Sequence, residues 1–144
     1  MSMKRVCLLL ALLSLLAGGC MSSGEKTPRW ERITYSRSGG IAGFDQQLTI
    51  GTDGSYNIID RGRKTVSGKL PGAELKALRE RVAAVQWAQM APKYINPEIA
   101  DAIFEGVAID IDAHSYTTLV GTGGAPPAEL RQLLQLLMQI ATRP

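Results

Sequence analysis

Few side chains in this sequence could carry covalent or metal chemistry. There is one histidine, His114, and two cysteines, Cys7 and Cys20. His114 sits in a turn signal between two strand patterns, where a lone histidine reads as a solvent-exposed turn residue. Asp112, His114 and Ser115 can be drawn as a triad. A triad, however, needs spatial assembly and a framed nucleophile, and nothing in the local sequence frames one. Asp110 and Asp112 fall on the same side of one strand and could meet a hard cation. Such an ion takes six or more oxygens, which are not evident here, so a solvated strand end is the plainer reading. No phosphate-binding loop, dinucleotide fingerprint or zinc-ligand spacing occurs. The expectation is a protein that is not an enzyme, with no metal, no cofactor and no small-molecule substrate.

Cys20 is different, because its surroundings specify a modification. Residues 1–6 carry Lys4 and Arg5 and no acid, residues 7–17 read CLLLALLSLLA, and Ala17, Gly18 and Gly19 precede the cysteine. A basic start, a short apolar run and a small-residue exit form the layout of a secretory signal peptide. The run is too short to span a bilayer, which needs about 20 residues. LLAGGC resembles the lipobox of bacterial lipoproteins. That resemblance implies cleavage after Gly19 and lipidation of Cys20, with residues 1–19 as signal and 20–29 as a flexible tether. A multiply acylated cysteine anchors a protein stably to a membrane. Met21 is not the Asp that retains such proteins in the inner membrane of enteric-type cells. The expected location is therefore the cell envelope, lipid-anchored to the outer membrane and facing the periplasm.

With Cys7 removed and Cys20 acylated, the exported domain has no cysteine for a disulfide or a thiolate. The chain has 16 basic and 13 acidic residues, and setting aside Lys4 and Arg5 leaves 14 against 13, a net of +1. A nearly neutral domain has no electrostatic case for nucleic acid. About 115 residues follow the tether, enough for one domain with one core.

The elements that must position any site follow from periodicity. Alternation marks strands at 31–37, with Ile33 and Tyr35 on one face, and at 44–50, with Phe44, Leu48 and Ile50 together. GTDG at 51–54 is a hairpin turn, because Asp-Gly adopts positive φ readily. Strands at 55–60 and 65–70 follow, separated by RGRK. Pro71 suits a helix start, and Leu75, Leu78, Val82 and Val85 recur at helical spacing. The helix is expected to run to Met90 or Ala91, with Trp87, Met90 and Tyr94 capping its end. Residues 92–99 read as a loop. Strands at 104–111 and 115–120 come next. A last helix over 127–141 carries Leu130, Leu133, Leu134, Leu137 and Ile140 on one stripe. Glu129 in its first turn and Arg143 beyond its end suit the helix dipole. The predicted fold is α+β, an antiparallel β-sheet with two amphipathic helices on one face, over residues 30–144.

The segment SGGIAG at 38–43 admits two readings. From the residues alone the plainer reading is a bulged hairpin whose Ile41 and Ala42 fold back on the core; the other is a projecting loop with an apolar tip.

At this point a family resemblance enters. RITYSRSGGIAG, a Leu-rich helix whose exit carries Trp87 and Pro92, a hairpin preceded by Asp101, and a final PPAELRQLLQLL resemble emfourin. Emfourin is the protein inhibitor of protealysin, a thermolysin-like zinc metallopeptidase. The resemblance spans about residues 31–141. It implies that Arg37, Ser38, Gly39, Gly40, Ile41, Ala42, Gly43 and Phe44 form a loop that contacts the peptidase. Enzymes of that kind favour a large apolar residue just after the scissile bond. Ile41 is the first candidate for their pocket and Phe44 the second. The sequence departs from the family in a longer segment from Gly51 to Lys64 and in the lipobox.

The leading expectation is a membrane-tethered inhibitor of thermolysin-like metallopeptidases. The alternative is a non-enzymatic envelope lipoprotein acting as a binding or structural module. The anchor assignment predicts that Cys20→Ala moves the protein from the membrane fraction to the soluble periplasmic fraction. Fractionation and intact mass measure this, and an unchanged distribution would contradict it.

Overall fold

The computed structural model describes residues 29–61 and 64–144. The expected signal peptide, Cys20, most of the expected tether, and Gly62 and Arg63 of the RGRK segment lie outside the described residues. Within them, seven strands and two helices form an α+β unit. The strands are β1 (Trp30–Gly39), β2 (Phe44–Gly51), β3 (Ser55–Asp60), β4 (Lys64–Lys69), β5 (Lys93–Tyr94), β6 (Ile103–Ile111) and β7 (His114–Gly121). Helix α1 is Gly72–Ala84 and α2 is Ala128–Ala141; a short 3-10 turn, Trp87–Gln89, follows α1. The sheet order is β4-β3-β2-β1-β6-β7-β5.

Alternation along each strand sorts the side chains into rows that cross the sheet. One row runs Tyr56, Ile50, Ile33, Ile109, Tyr116; the next runs Val66, Ile58, Leu48, Tyr35, Val107, Thr118. Ile33, Tyr35, Leu48 and Ile50 are fully buried. They share one apolar cluster with Leu78 and Val82 of α1 and the whole predicted stripe of α2. Thr34, Thr49, Asn57 and Ala108 belong to the opposite parity and lie outside that cluster.

The structure corrects three expectations. The sheet is mixed, because β5 pairs parallel to β7 through Lys93 and Tyr94 while the other pairs are antiparallel. Residues 92–99 are thus not all loop; the flanking prolines hide a two-residue strand. Helix α1 ends at Ala84, not near Met90. Val85 is buried and takes an extended conformation, φ −78° and ψ 127°. That break lets Trp87 turn inward and donate its indole N–H to the Val82 carbonyl at 3.0 Å. Tyr94 accepts the Ala91 N–H at 3.0 Å, and Thr118, buried, donates to the Ala91 carbonyl at 2.8 Å. These bonds fasten the exit of α1 to β7.

The β6–β7 hairpin turns on Asp112 and Ala113, at φ +47° and +64°. Two positive values are the signature of the two-residue turn that matches strand twist. Alanine carries a steric cost there that glycine does not. Ala113→Gly should therefore raise stability by roughly 0.5–1 kcal/mol, seen as a melting temperature a few degrees higher. A lower melting temperature would contradict this turn.

Candidate functional site

The segment between β1 and β2 resolves the two readings of SGGIAG. Gly39 is the last paired residue, opposite Phe44 on one side and Ile103 on the other. The Gly43 N–H closes a turn on the Gly40 carbonyl at 2.9 Å, with Ile41 and Ala42 at its tip. Ile41 is 92% exposed, so it projects, which corrects the residue-based expectation that it folds back on the core. Exposed large apolar side chains are otherwise rare among the described residues, the other being Ile95 at 38%.

The three glycines serve different ends. Gly39, Gly40 and Gly43 all have positive φ, at +86°, +70° and +62°. A Cβ on Gly39 would sit 2.6 Å from the Ala102 carbonyl oxygen, and one on Gly40 would sit 2.8 Å from Ile103 Cγ1. Gly43 has open space around it. Backbone contacts tie the loop down further. The Gly40 N–H donates to the Ala102 carbonyl at 3.1 Å, and the Arg61 guanidinium donates to the Ala42 carbonyl at 3.0 Å. Arg61 itself holds a positive φ of 50° at the end of β3.

Arg37 and Phe44 meet at the base of the loop. The Arg37 guanidinium lies over the Phe44 ring, 4.0 Å from its centroid. Phe44 is half-buried by this stacking, so it supports the base while Ile41 forms the tip. Ser38 is exposed on the opposite face of β1, and Ala42 is exposed beside Ile41.

The same end of the sheet carries residues that periodicity does not single out. Ile95 follows β5, and a Cβ on Gly121 would lie 3.7 Å from Ile95 Cγ1 and 3.2 Å from the Phe104 ring. Phe104 pairs with Ser38 and Gly121, so the Ile41 loop, Phe104 and Ile95 lie at the same end of the sheet, over β1, β6, β7 and β5. The signal for Ile95 is its place between two prolines, an apolar residue where a loop needs none.

A polar row also interrupts the core face here. Asp60, Gln46, Arg37 and Glu105 stand in register across four strands, and the row ends on apolar Val120 of β7. Glu105 breaks the apolar alternation of β6, and that break is its signal in the sequence. It accepts the Tyr35 hydroxyl at 2.5 Å. Burial, and then the carboxylate beside it, push the Tyr35 hydroxyl well above the ordinary tyrosine range, so it remains a donor.

The other candidate groups stay apart. Ser115 donates to Asp110 at 2.6 Å, and Arg32 approaches Asp110 at 3.5 Å. His114 is exposed, with Nδ1 3.0 Å from the Asp112 carbonyl oxygen. Asp112 has left the strand for the turn, so it does not share a side with Asp110 as expected. The Asp112–His114–Ser115 triad is not assembled. Among the described residues no three His, Cys, Asp or Glu side chains cluster as a metal site, and no helix is long and apolar enough to cross a membrane. A hollow of about 540 Å³ near the start of β1 is lined by Glu31, Arg32, Thr49, Asn57 and Asp110, but Arg32, its one cation, already faces Asp110.

Comparison with known proteins returned no matching family model, no matching curated protein and no matching solved structure.

The loop geometry separates fold from tip. Gly39→Ala should cost about 2 kcal/mol or more, because a strained φ and a backbone clash coincide. Ile41→Asp should leave the melting temperature within about 0.5 kcal/mol equivalent of wild type. Thermal melts check both, and a collapsed Ile41→Asp would place Ile41 in the core.

Proposed function

We propose that this chain is a membrane-tethered inhibitor of thermolysin-like zinc metallopeptidases, with the Gly39–Gly43 loop as its inhibitory element. One observation carries the reading: a large apolar side chain, Ile41, stands 92% exposed at the tip of a loop that is otherwise tied down. An exposed isoleucine on a mobile segment would lose ordering entropy on binding. A loop clamped through Gly40, Ala42 and Gly43 loses less, which favours tight and specific contact.

The inhibitor must enter a cleft without being cut. Glycines on both sides of Ile41 let its backbone approach the enzyme closely. Their hydrogen bonds to Ala102 and within the turn resist the extended conformation a peptidase needs. Ile41 then serves the apolar pocket that follows the scissile position, and Ala42 clears space beside it. Arg37 and Phe44 brace the loop from beneath, and Gly39 sets its exit from the sheet. Ser38, on the opposite face, belongs to the rim.

The tether fits this orientation. β1 begins at Trp30, next to the tether, and runs ten residues to Gly39. At about 3.3 Å per residue the loop stands roughly 30 Å from the tethered end of the domain. The envelope lipoprotein would hold the loop away from its membrane, toward a soluble peptidase.

Inhibition constants for the protein from Thr27 onward test the reading. Wild type should inhibit a thermolysin-like peptidase and spare serine peptidases. Ile41→Ala should weaken inhibition by about 2 kcal/mol, roughly thirtyfold, through lost apolar burial. Ile41→Asp should weaken it more, since a charge would enter a dry apolar pocket. Full inhibition by a folded Ile41→Asp variant would rule out the loop, and no inhibition by wild type would rule out the function.

A further inference from the structure

The polar row at the loop end borders a groove between the sheet and α2. Two hollows of about 160 and 210 Å³ adjoin there, sharing Glu105 and Met138 as walls. Arg37 and Thr122 line the first, and Arg131 lines the second. Neither arginine has a carboxylate within ion-pair distance among the described residues, where the pairs are Arg32–Asp110, Lys69–Asp53, Lys76–Glu80 and Arg143–Glu74. Arg37 Nε is buried and has no hydrogen-bond partner. Arg131 makes one bond, to the Pro126 carbonyl at 3.2 Å, and a guanidinium has five donors to place.

Such a groove is unusual for a structural row. A buried donor left unpaired costs free energy, and guanidinium groups match carboxylates in shape and charge. The one acid in the groove, Glu105, already accepts the Tyr35 hydroxyl at 2.5 Å. Two guanidinium groups against one hydrogen-bonded carboxylate leave the groove net positive. The Phe44 ring restrains Arg37 from its other side, so its fork is already ordered for a planar partner.

We infer that this groove is a carboxylate-binding site, which takes an acidic peptide group between Arg37 and Arg131 beside the loop. The carboxylate supplies the partner that buried Arg37 Nε lacks and meets the guanidinium of exposed Arg131 on its other side. Met138 supplies an apolar wall for the carbon stem that carries it. The group can be a peptide's C-terminus or an Asp or Glu side group, since both present the same planar anion. A domain that inhibits nothing can still bind carboxylate here, and an inhibitor can lack this site.

The test uses the full-length protein in detergent micelles, with arginine side-chain N–H resonances followed by NMR. The probes are acetate, the tripeptide Gly-Gly-Leu, its C-terminal amide, and N-acetyl-glutamate amide, against sodium chloride at matched ionic strength. Binding should shift the Arg37 Nε–H resonance with acetate and the free-acid tripeptide, and not with the amide or chloride. A response to acetyl-glutamate amide equal to that of the tripeptide assigns side-chain acids as ligands; a weaker one assigns the C-terminus. Arg37→Gln and Arg131→Gln should each weaken binding by roughly tenfold, the loss of one charge-assisted bond. Glu105→Gln keeps an acceptor for Tyr35 and removes the competing charge, so it should tighten binding. Equal shifts with chloride, no shift with any carboxylate, or weaker binding in Glu105→Gln would overturn the site.

Discussion

The structure depends on β1 being bonded along both edges. From Arg32 to Gly39 it pairs with β2 on one side and β6 on the other. Its backbone donors and acceptors thus have partners within the sheet. Its core-facing residues, Ile33 and Tyr35, are fully buried. A slip of one residue would exchange them with Thr34 and Ser36, placing polar side chains in the core. The register of this strand is therefore fixed. Since Gly39 ends it, the position of everything that follows is fixed as well. The loop at Gly40–Gly43 thus starts from a strand paired along both edges.

The rows across the sheet divide the labour. The two apolar rows through Ile33 and Tyr35 hold the helices, with α2 contributing Leu130, Leu133, Leu134, Leu137 and Ile140. The next row turns polar at Gln46, Arg37 and Glu105. A protein selected only for stability would continue the apolar pattern there, because buried polar groups cost free energy without partners. The row after that, Phe44, Gly39 and Ile103, is the last before the loop. Stability and surface chemistry thus occupy successive rows, and Tyr35 links them by burying its ring in one and donating its hydroxyl to the other.

Much of the fold is legible because its signals are local. The strand patterns through 111, the GTDG turn and the stripe of α2 rest on period and turn chemistry, and the elements fall close to where these put them. The GTDG turn forms with Gly54 at φ +82° and Asp53 accepting both the N–H and the hydroxyl of Ser55. Those bonds hold the Asp53 carboxyl below its usual range. The end of α1 is not legible, because helical spacing continues through Val85 while tertiary burial of Val85 and Trp87 breaks it. β5 is not legible either, since a two-residue strand has no period. At the loop, the residues alone favour Ile41 facing the core, and the structure turns it to solvent. The deciding contacts come from Ala102, Ile103 and Arg61, which are distant in sequence. Arg37 and Glu105 are visible as breaks in alternation, but their meeting across β1 and β6 needs the register.

The proposed inhibition requires Ile41 to enter a metallopeptidase cleft. A photo-reactive amino acid in place of Ile41, irradiated in complex with a thermolysin-like peptidase, tests it most directly by mapping the cross-linked peptide. Cross-links should fall on residues lining the substrate cleft beside the zinc, and a small active-site-directed inhibitor should abolish them. Cross-links elsewhere on the enzyme, or ones that persist when the cleft is filled, would contradict it.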